Sequence, residues 1–120
     1  MKKVLCVVVL MVAMLGSAKP SALADAEGGS RFVREKVLAY GSDMYDIVFR
    51  AGQPARVDVI GDGDTDLDLY IYDQFGNIVA SDTDYSDRCV AIWTPIWTGV
   101  FRLKIVNRGD VFNRYTLRTN

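Results

Sequence analysis

Closely spaced aspartates follow a glycine in the middle of the chain, and their type and spacing suit metal binding. Four of them occupy alternate positions in the run Gly61-Asp62-Gly63-Asp64-Thr65-Asp66-Leu67-Asp68. Carboxylates at this density repel one another, and acidic oxygens beside a flexible glycine turn are what a hard cation such as Ca²⁺ requires. The run has no glutamate at the distance that an EF-hand needs, so it is not an EF-hand. We therefore predict a calcium site with these candidate ligands: Asp62, Asp64, Asp66, Asp68, Asp82 and Asp84, with Asp87 a weaker candidate.

The same aspartates have a second interpretation that needs no metal. Aspartate side chains bond to nearby backbone in turns, and glycine accepts positive φ there. Charges on edge strands also discourage aggregation. Arginines are available to neutralise some of the carboxylates, and such surface pairs contribute less than about 1 kcal/mol each. These arginines are Arg50, Arg56, Arg88 and Arg102. Both interpretations stay open on the sequence.

Aromatic side chains form a second group that could bind a ligand. Tyr70, Tyr72 and Tyr85 are expected to share an outward face with the aspartates, while Trp93 and Trp97 flank the segment Thr94-Pro95-Ile96. The candidate ligand-binding residues are Tyr70, Tyr72, Tyr85 and Trp97. Exposed aromatics beside carboxylates suit a sugar or peptide platform, through stacking and hydrogen bonds from the hydroxyls. In the alternative interpretation Trp93 belongs to the core and Trp97 covers one end of the domain.

Catalytic chemistry has little support in the sequence. There is no histidine, which excludes the commonest general base and every histidine-containing triad or zinc site. A minimal hydrolase would need two carboxylates across a cleft, such as Asp68 and Asp82, and a domain of this size offers little depth for one. Cys89 alternates with apolar residues and is expected to be a small buried hydrophobe. We predict no enzyme activity and no catalytic residues.

The first 24 residues read as a signal peptide. A basic start is followed by an apolar core, and Ala22-Leu23-Ala24 provides a small-x-small cleavage site. Cleavage after Ala24 leaves 11 basic and 15 acidic side chains, a net charge of −4. This argues against nucleic acid as a partner. Nothing later is long and apolar enough to span a membrane, so we expect an exported product, periplasmic or secreted.

The remaining chain alternates apolar and polar residues with a period of two, which is typical of β-strands. Turn-forming residues separate the runs, and no helix-strand alternation supports a parallel sheet. The segment from Arg31 to Tyr40 is predicted either as a short helix or as an extended segment. The pattern indicates one all-β domain, an antiparallel β-sandwich of about seven to eight strands. The alternating residues include Tyr45, Ile47, Phe49, Ala55, Val57, Val59, Leu67, Leu69, Ile71, Phe101, Leu103, Ile105, Tyr115 and Leu117.

One hairpin sets the geometry of the aspartates. If Tyr72 pairs with Ile78, an unbroken register places Asp68 opposite Asp82 and Asp66 opposite Asp84, on the outward face. Ile71 then lies inward beside Val79. Like charges opposite one another destabilise a strand pair, so a bound cation would stabilise this one.

Several segments in order resemble the bacterial pre-peptidase C-terminal domain family. Tyr45-Asp46-Ile47-Val48-Phe49 with Ala51-Gly52 resembles its opening strand and turn, and Asp66-Leu67-Asp68-Leu69-Tyr70 its most recognisable motif. The hairpin turn, the acid after it, the late strand and the closing strand are similar in Gly76-Asn77, Asp82, Gly99-Val100-Phe101 and Asn113-Arg114-Tyr115-Thr116-Leu117.

The resemblance implies a jelly-roll-like sandwich with binding and solubility roles rather than chemistry. Related collagenase domains bind calcium and collagen, partly through a linker before the sandwich, so their ligands do not transfer directly to these aspartates. We divide the chain into a signal peptide (1–24), a leader (25–42) and the sandwich (43–120). We expect a calcium-stabilised, exported module that binds a protein or glycan. The alternative is a structural or interaction protein that assists an exported enzyme and has no metal site.

Overall fold

Eight strands and no helix make up the part of the chain that the computed structural model describes, residues 29–120. The predicted signal peptide lies outside these residues, and the leader lies partly outside them. The strands are β1 (Phe32–Val37), β2 (Ser42–Phe49), β3 (Ala55–Ile60), β4 (Leu67–Tyr72), β5 (Ile78–Asp82), β6 (Arg88–Trp93), β7 (Gly99–Asn107) and β8 (Asn113–Thr119). With no helix among them, residues 29–120 contain no helical membrane span.

The strands form two antiparallel four-stranded sheets. Sheet A has the order β1-β8-β3-β6, and sheet B has the order β2-β7-β4-β5. First pairs with last, second with seventh, third with sixth and fourth with fifth, as in a long hairpin rolled into two layers. This is the strand order of a jelly roll. The predicted all-β sandwich is confirmed.

The core lies between the two sheets and is built from the alternate residues of each strand. Val57 and Val59 of sheet A and Leu69 of sheet B have no exposed surface. The ring of Trp93 packs at 4.9 Å from that of Phe49, measured between centroids, and closes one end of the core. A period-two pattern of this kind buries one face of each strand and leaves the other face to solvent. Trp93 therefore belongs to the core, as one of the two interpretations held.

Strand β1 shows which conformation the segment before the predicted sandwich adopts. Phe32–Val37 is extended and pairs with β8, with Val33 opposite Leu117 and Val37 opposite Asn113. The segment Arg31 to Tyr40 is thus extended rather than helical, and its strand is an edge of sheet A. The sandwich begins before residue 43, inside the segment assigned to the leader.

The register of the β4–β5 hairpin differs from the prediction. Tyr72 does pair with Ile78, but the register then shifts, so that Ile71 lies opposite Ala80 and Leu69 opposite Asp82. The predicted pairings of Asp68 with Asp82, of Asp66 with Asp84 and of Ile71 with Val79 are therefore wrong. Asp82 pairs with the buried Leu69 and so lies on the inward side of the hairpin rather than on the outward face. One extra residue in β5 forms a bulge, which an edge strand tolerates because its other side has no ladder to break.

Candidate functional site

Hydrogen bonds from the protein itself hold the aspartate-rich turn between β3 and β4. The two carboxylate oxygens of Asp62 accept the backbone N–H of Asp64 at 3.0 Å and that of Arg114 at 2.9 Å. The Asp87 carboxylate accepts the N–H of Gly63 and, at 3.2 Å, the side-chain amide of Asn113. These are the turn contacts that aspartate side chains commonly make. Protein hydrogen bonds therefore fix the backbone of this turn.

Asp68 lies in β4 and forms an ion pair rather than facing a second carboxylate. Its Oδ2 accepts a hydrogen bond of 2.7 Å from Nε of Arg108, and the Asp68 side chain is buried while that of Arg108 is half exposed. Nη2 of Arg108 also donates to the hydroxyl of Tyr70 at 3.1 Å. A charge-assisted bond of this length fixes both side chains. Asp68 thereby orients the arginine against the tyrosine.

Two buried carboxylate oxygens in this region have no hydrogen-bond partner among residues 29–120. They are Oδ1 of Asp66 and Oδ1 of Asp68. Burial raises the pKa of Asp66, and repulsion from the neighbouring carboxylates of Asp68 and Asp84 raises it further. A buried oxygen without a donor costs free energy, so these two oxygens are the ones on which a cation would have the largest effect.

The remaining predicted metal ligands are dispersed. Oδ2 of Asp82 accepts the backbone N–H of Val90 at 2.9 Å and so links the edge of sheet B to the edge of sheet A. Asp84 accepts bonds from the backbone N–H and the hydroxyl of Ser86. Within residues 29–120, no three acidic or cysteine side chains converge as a metal ion requires. The six aspartates do not form one coordination shell, and calcium binding stays a prediction.

An open groove of about 480 Å³ lies on the outer face of sheet B. Pairing across the sheet places Tyr70 opposite Lys104 and Asp68 opposite Val106. The groove is lined by Tyr40, Gly41, Ser42, Tyr70, Tyr72, Lys104, Val106 and Arg108. Three tyrosine rings with their hydroxyls and two cations can hold a ligand by stacking and hydrogen bonding. We refer to this surface as the tyrosine groove.

The turn between β1 and β2 brings Tyr40 into the tyrosine groove at a conformational cost. Tyr40 has φ of 55°, which a bulky residue seldom adopts. The turn is held in place because the N–H of Tyr40 donates to the carbonyl of Gly109 at 3.0 Å and that of Gly41 to the carbonyl of Leu38 at 2.9 Å. Strained residues of this kind are found at binding sites more often than elsewhere. The exposed Tyr40 ring is thus displayed by a turn that two backbone hydrogen bonds hold.

The two rings from β4 form the other aromatic part of the groove. Tyr70 and Tyr72 project from the same face, with centroids 6.4 Å apart and planes at 30°. Both are half-buried, so each presents part of its ring to solvent. The two tilted rings offer an open surface rather than a deep pocket, which suits a segment of a polymer better than a small molecule.

The structure places the other two predicted ligand aromatics away from the groove lining. Tyr85 is almost fully exposed, on the loop between β5 and β6. Trp97 lies between β6 and β7 and packs edge-to-face on Phe75 at 5.8 Å between centroids. Tyr70 and Tyr72 therefore come together, while Tyr85 and Trp97 do not join them.

Sequence reasoning missed the other aromatic and charged side chains of the groove, which are Tyr40, Lys104 and Arg108. Lys104 alternates outward in β7 between buried neighbours, and that position could have been read from the period of two. Tyr40 and Arg108 lie in turns whose glycines mark them as turns but not as neighbours. Only the pairing of the strands brings those turns together.

The titratable groups in the core are held in unreactive states. Burial raises the pKa of the Cys89 thiol to about 12, and the thiol donates to the carbonyl of Leu67 at 3.2 Å. The hydroxyl of Tyr115 donates to Asp43 at 2.6 Å and lies 2.6 Å from the hydroxyl of Tyr45. Burial, followed by these hydrogen bonds, raises the pKa of Tyr115. A protonated thiol and a protonated phenol are poor nucleophiles and bases at neutral pH.

Comparison with known proteins identifies the fold. The crystal structure of the pre-peptidase C-terminal domain of collagenase from Bacillus anthracis superposes with a TM-score of 0.66 at 11% sequence identity, over 76% of this chain and 89% of that one. The chain has the fold of a pre-peptidase C-terminal domain. No family model and no curated protein matches its sequence. At this identity the likeness extends to the pre-peptidase C-terminal fold alone.

Proposed function

We propose that this protein is a non-catalytic, exported binding module that holds a protein or glycan ligand in the tyrosine groove. The observation that carries the proposal is the grouping of Tyr40, Tyr70 and Tyr72 with Lys104 and Arg108 on one open surface. The predicted signal peptide supports an extracytoplasmic location. The fold shared with a pre-peptidase C-terminal domain supports a non-catalytic role.

The groove is organised before a ligand arrives. Arg108 is held between Asp68 and the hydroxyl of Tyr70. The side chains of Arg108 and Tyr70 therefore do not need to be ordered when a ligand binds. Fixing such side chains in advance lowers the entropy cost of association by about 0.5–1.5 kcal/mol for each. An open, polar and aromatic surface then favours an extended ligand that offers both ring or methyl faces and hydrogen-bonding groups.

Binding assays with a matched pair of tyrosine variants test this proposal. The purified protein is titrated with a triple-helical collagen peptide and with a panel of neutral and acidic oligosaccharides, by calorimetry. Tyr72→Ala removes a ring from the groove, and Tyr85→Ala removes an exposed ring outside it. We expect Tyr72→Ala to weaken binding about tenfold or more, as the loss of a ring contact does at binding surfaces, and Tyr85→Ala to leave it unchanged. Equal effects of the two variants would contradict the groove as the site.

We also propose a calcium site, with fewer aspartate ligands than the sequence predicted. What supports it is the pair of buried oxygens, Oδ1 of Asp66 and Oδ1 of Asp68, which lack donors among residues 29–120. Two oxygens fall short of the six to eight ligands that Ca²⁺ takes, so water and Asp84 would have to supply others. Thermal unfolding with calcium and with chelator tests this. We expect a calcium-dependent rise that Asp66→Asn abolishes and that Asp64→Asn, on the exposed turn, retains.

The alternative role predicts different results in the same assays. A structural or interaction protein that assists an exported enzyme would show no response to calcium or chelator. It would also bind none of the collagen or oligosaccharide probes, with or without Tyr72. The jelly-roll fold is compatible with either role, so the fold cannot separate them. The ligand titrations and the unfolding measurements with calcium and chelator can.

A further inference from the structure

The outer face of sheet A is strongly basic. Its four strands present twelve outward side chains, of which six are arginine or lysine and one is acidic, Asp58. The six cations are Arg34 and Lys36 of β1, Arg114 and Arg118 of β8, Arg56 of β3 and Arg88 of β6. Residues 29–120 contain 13 acidic and 11 basic side chains, so the charges are segregated on the molecule. We refer to this surface as the basic face.

Most of these cations lack an acidic partner. Arg56 pairs with Asp58 at 3.0 Å. The other five form no ion pair with any residue between 29 and 120. Neighbouring like charges repel, at a cost that grows as their separation falls. An anionic ligand would therefore relieve a repulsion that the folded chain leaves uncompensated.

Two phenylalanine rings hold four of the cations in place. Arg34 and Arg118 lie 5.6 and 5.3 Å from the centroid of Phe32. Lys36 and Arg114 lie 5.1 and 5.3 Å from the centroid of Phe112. Each ring thus has two cations against it, at distances typical of cation–π contacts. The cations are positioned in advance, which lowers the entropy cost of binding an anion.

The positions of the cations match a linear polymer better than a single ion. Lys36 lies directly opposite Arg114, whereas Arg34 lies two residues along β1 from Lys36. Adjacent strands are about 4.8 Å apart, and outward side chains on one strand are about 7 Å apart. The face is therefore a flat grid of charges that extends over several strands. A chain with repeated anionic groups can engage several of these cations together.

We propose that the basic face binds an acidic polysaccharide, a chain of sugars that carries repeated carboxylate or sulfate groups. A membrane would require apolar side chains free to insert, and single-stranded nucleic acid would require aromatic faces free to stack. The rings of Phe32 and Phe112 are instead engaged by cations. The exposed apolar side chains of this face, Ile60, Val90 and Ile92, lie on β3 and β6, not on the strands β1 and β8 that carry Arg34, Lys36, Arg114 and Arg118. Recognition at the part of the face formed by β1 and β8 therefore depends on charge, and titration with anionic phospholipid vesicles tests whether the apolar side chains insert into a membrane. The site lies on the opposite sheet from the tyrosine groove and does not depend on it.

Binding to two defined polysaccharides tests the proposal. The purified protein is titrated with heparin, which carries sulfates and carboxylates, and with polygalacturonate, which carries carboxylates alone, at about 50 and 150 mM salt. Neutral dextran, anionic phospholipid vesicles and duplex DNA are the comparison ligands. The double variant Arg34→Gln/Arg118→Gln removes two charges from the basic face. Arg50→Gln/Arg102→Gln removes two charges elsewhere and is the matched control.

We expect at least one acidic polymer to bind, the basic-face variant to weaken binding about tenfold or more, and its salt dependence to fall by about two ionic contacts. The control is expected to bind like the wild type. Loss of affinity in both variants to the same extent would overturn the proposal. So would failure of both acidic polymers to bind, equal binding of dextran, or tighter binding of vesicles or DNA.

Discussion

Asn113 provides the sharpest test of how the aspartate-rich turn is held. Its side chain is fully buried at the start of β8. Its Oδ1 accepts the N–H of Asp62 at 3.1 Å. Its Nδ2 donates to Oγ1 and the carbonyl oxygen of Thr65 at 3.1 and 3.3 Å, and to Asp87 Oδ2 at 3.2 Å. One amide thus ties three residues of the region to sheet A. The change Asn113→Ala removes all of these bonds and leaves their partners in place.

The size of the effect follows from the type of each bond. A neutral hydrogen bond contributes about 1 kcal/mol to stability, and a bond to a charged group about 1.5–3 kcal/mol. With the two contacts to Thr65 counted as one bond, two neutral bonds and one to the half-buried Asp87 carboxylate give a loss of about 3.5–5 kcal/mol. For a domain of this size 1 kcal/mol lowers the melting temperature by about 4 °C or more, so the expected drop is about 14 °C or more.

Urea and thermal unfolding followed by circular dichroism measure this loss. The matched control is Asn77→Ala, because the amide of Asn77 donates to Asp73 at 3.2 Å on the exposed β4–β5 turn. We expect the control to change stability by less than about 0.5 kcal/mol. A loss below about 1 kcal/mol in Asn113→Ala would refute the account of a turn held by hydrogen bonds from the protein.

Three further predictions concern single groups. Burial raises the pKa of Asp66 above its usual 3.8, so the ionised carboxylate lowers the stability of the fold at neutral pH, and this loss disappears well below pH 3.8. Without calcium, Asp66→Asn should therefore raise the urea midpoint at pH 7. The gain should be lost at pH 3. Cys89, with a pKa of about 12, should resist iodoacetamide at pH 8 in the native state and react in urea, as mass spectrometry will show. In Gly61→Ala the added Cβ would overlap the Asp87 carboxylate, so the melting temperature should fall by about 4 °C or more. An unchanged melting temperature would contradict this close packing of Gly61 on Asp87.

The strands could be predicted from the sequence where apolar and polar side chains alternate strictly. Val57 and Val59, or Leu67, Leu69 and Ile71, predict strands because burial on one face produces the period of two. In β1 only Val37 is buried, since an edge strand covers little of the core, so the pattern there could not separate a strand from a helix. The strand order needed the paired structure, because alternation does not say which strands are neighbours.

The candidate site was predicted only in part, for two physical reasons. A bulge in β5 shifts the register, and hairpin counting gives no sign of it because an edge strand can absorb one extra residue. Tyr40 and Arg108 join the groove through contacts between distant turns, which local patterns do not encode. Tyr70 and Tyr72 were found because they share a strand face, which the period of two does encode.

Amide NMR shift mapping tests directly whether the tyrosine groove binds a ligand. The ¹⁵N-labelled protein is titrated with the triple-helical collagen peptide and the oligosaccharide panel. We expect saturable shifts in three segments that meet at the groove: residues 40–42, 70–72 and 104–108. Shifts confined to the loops that carry Tyr85 and Trp97, or no shift with any probe, would contradict binding in the groove.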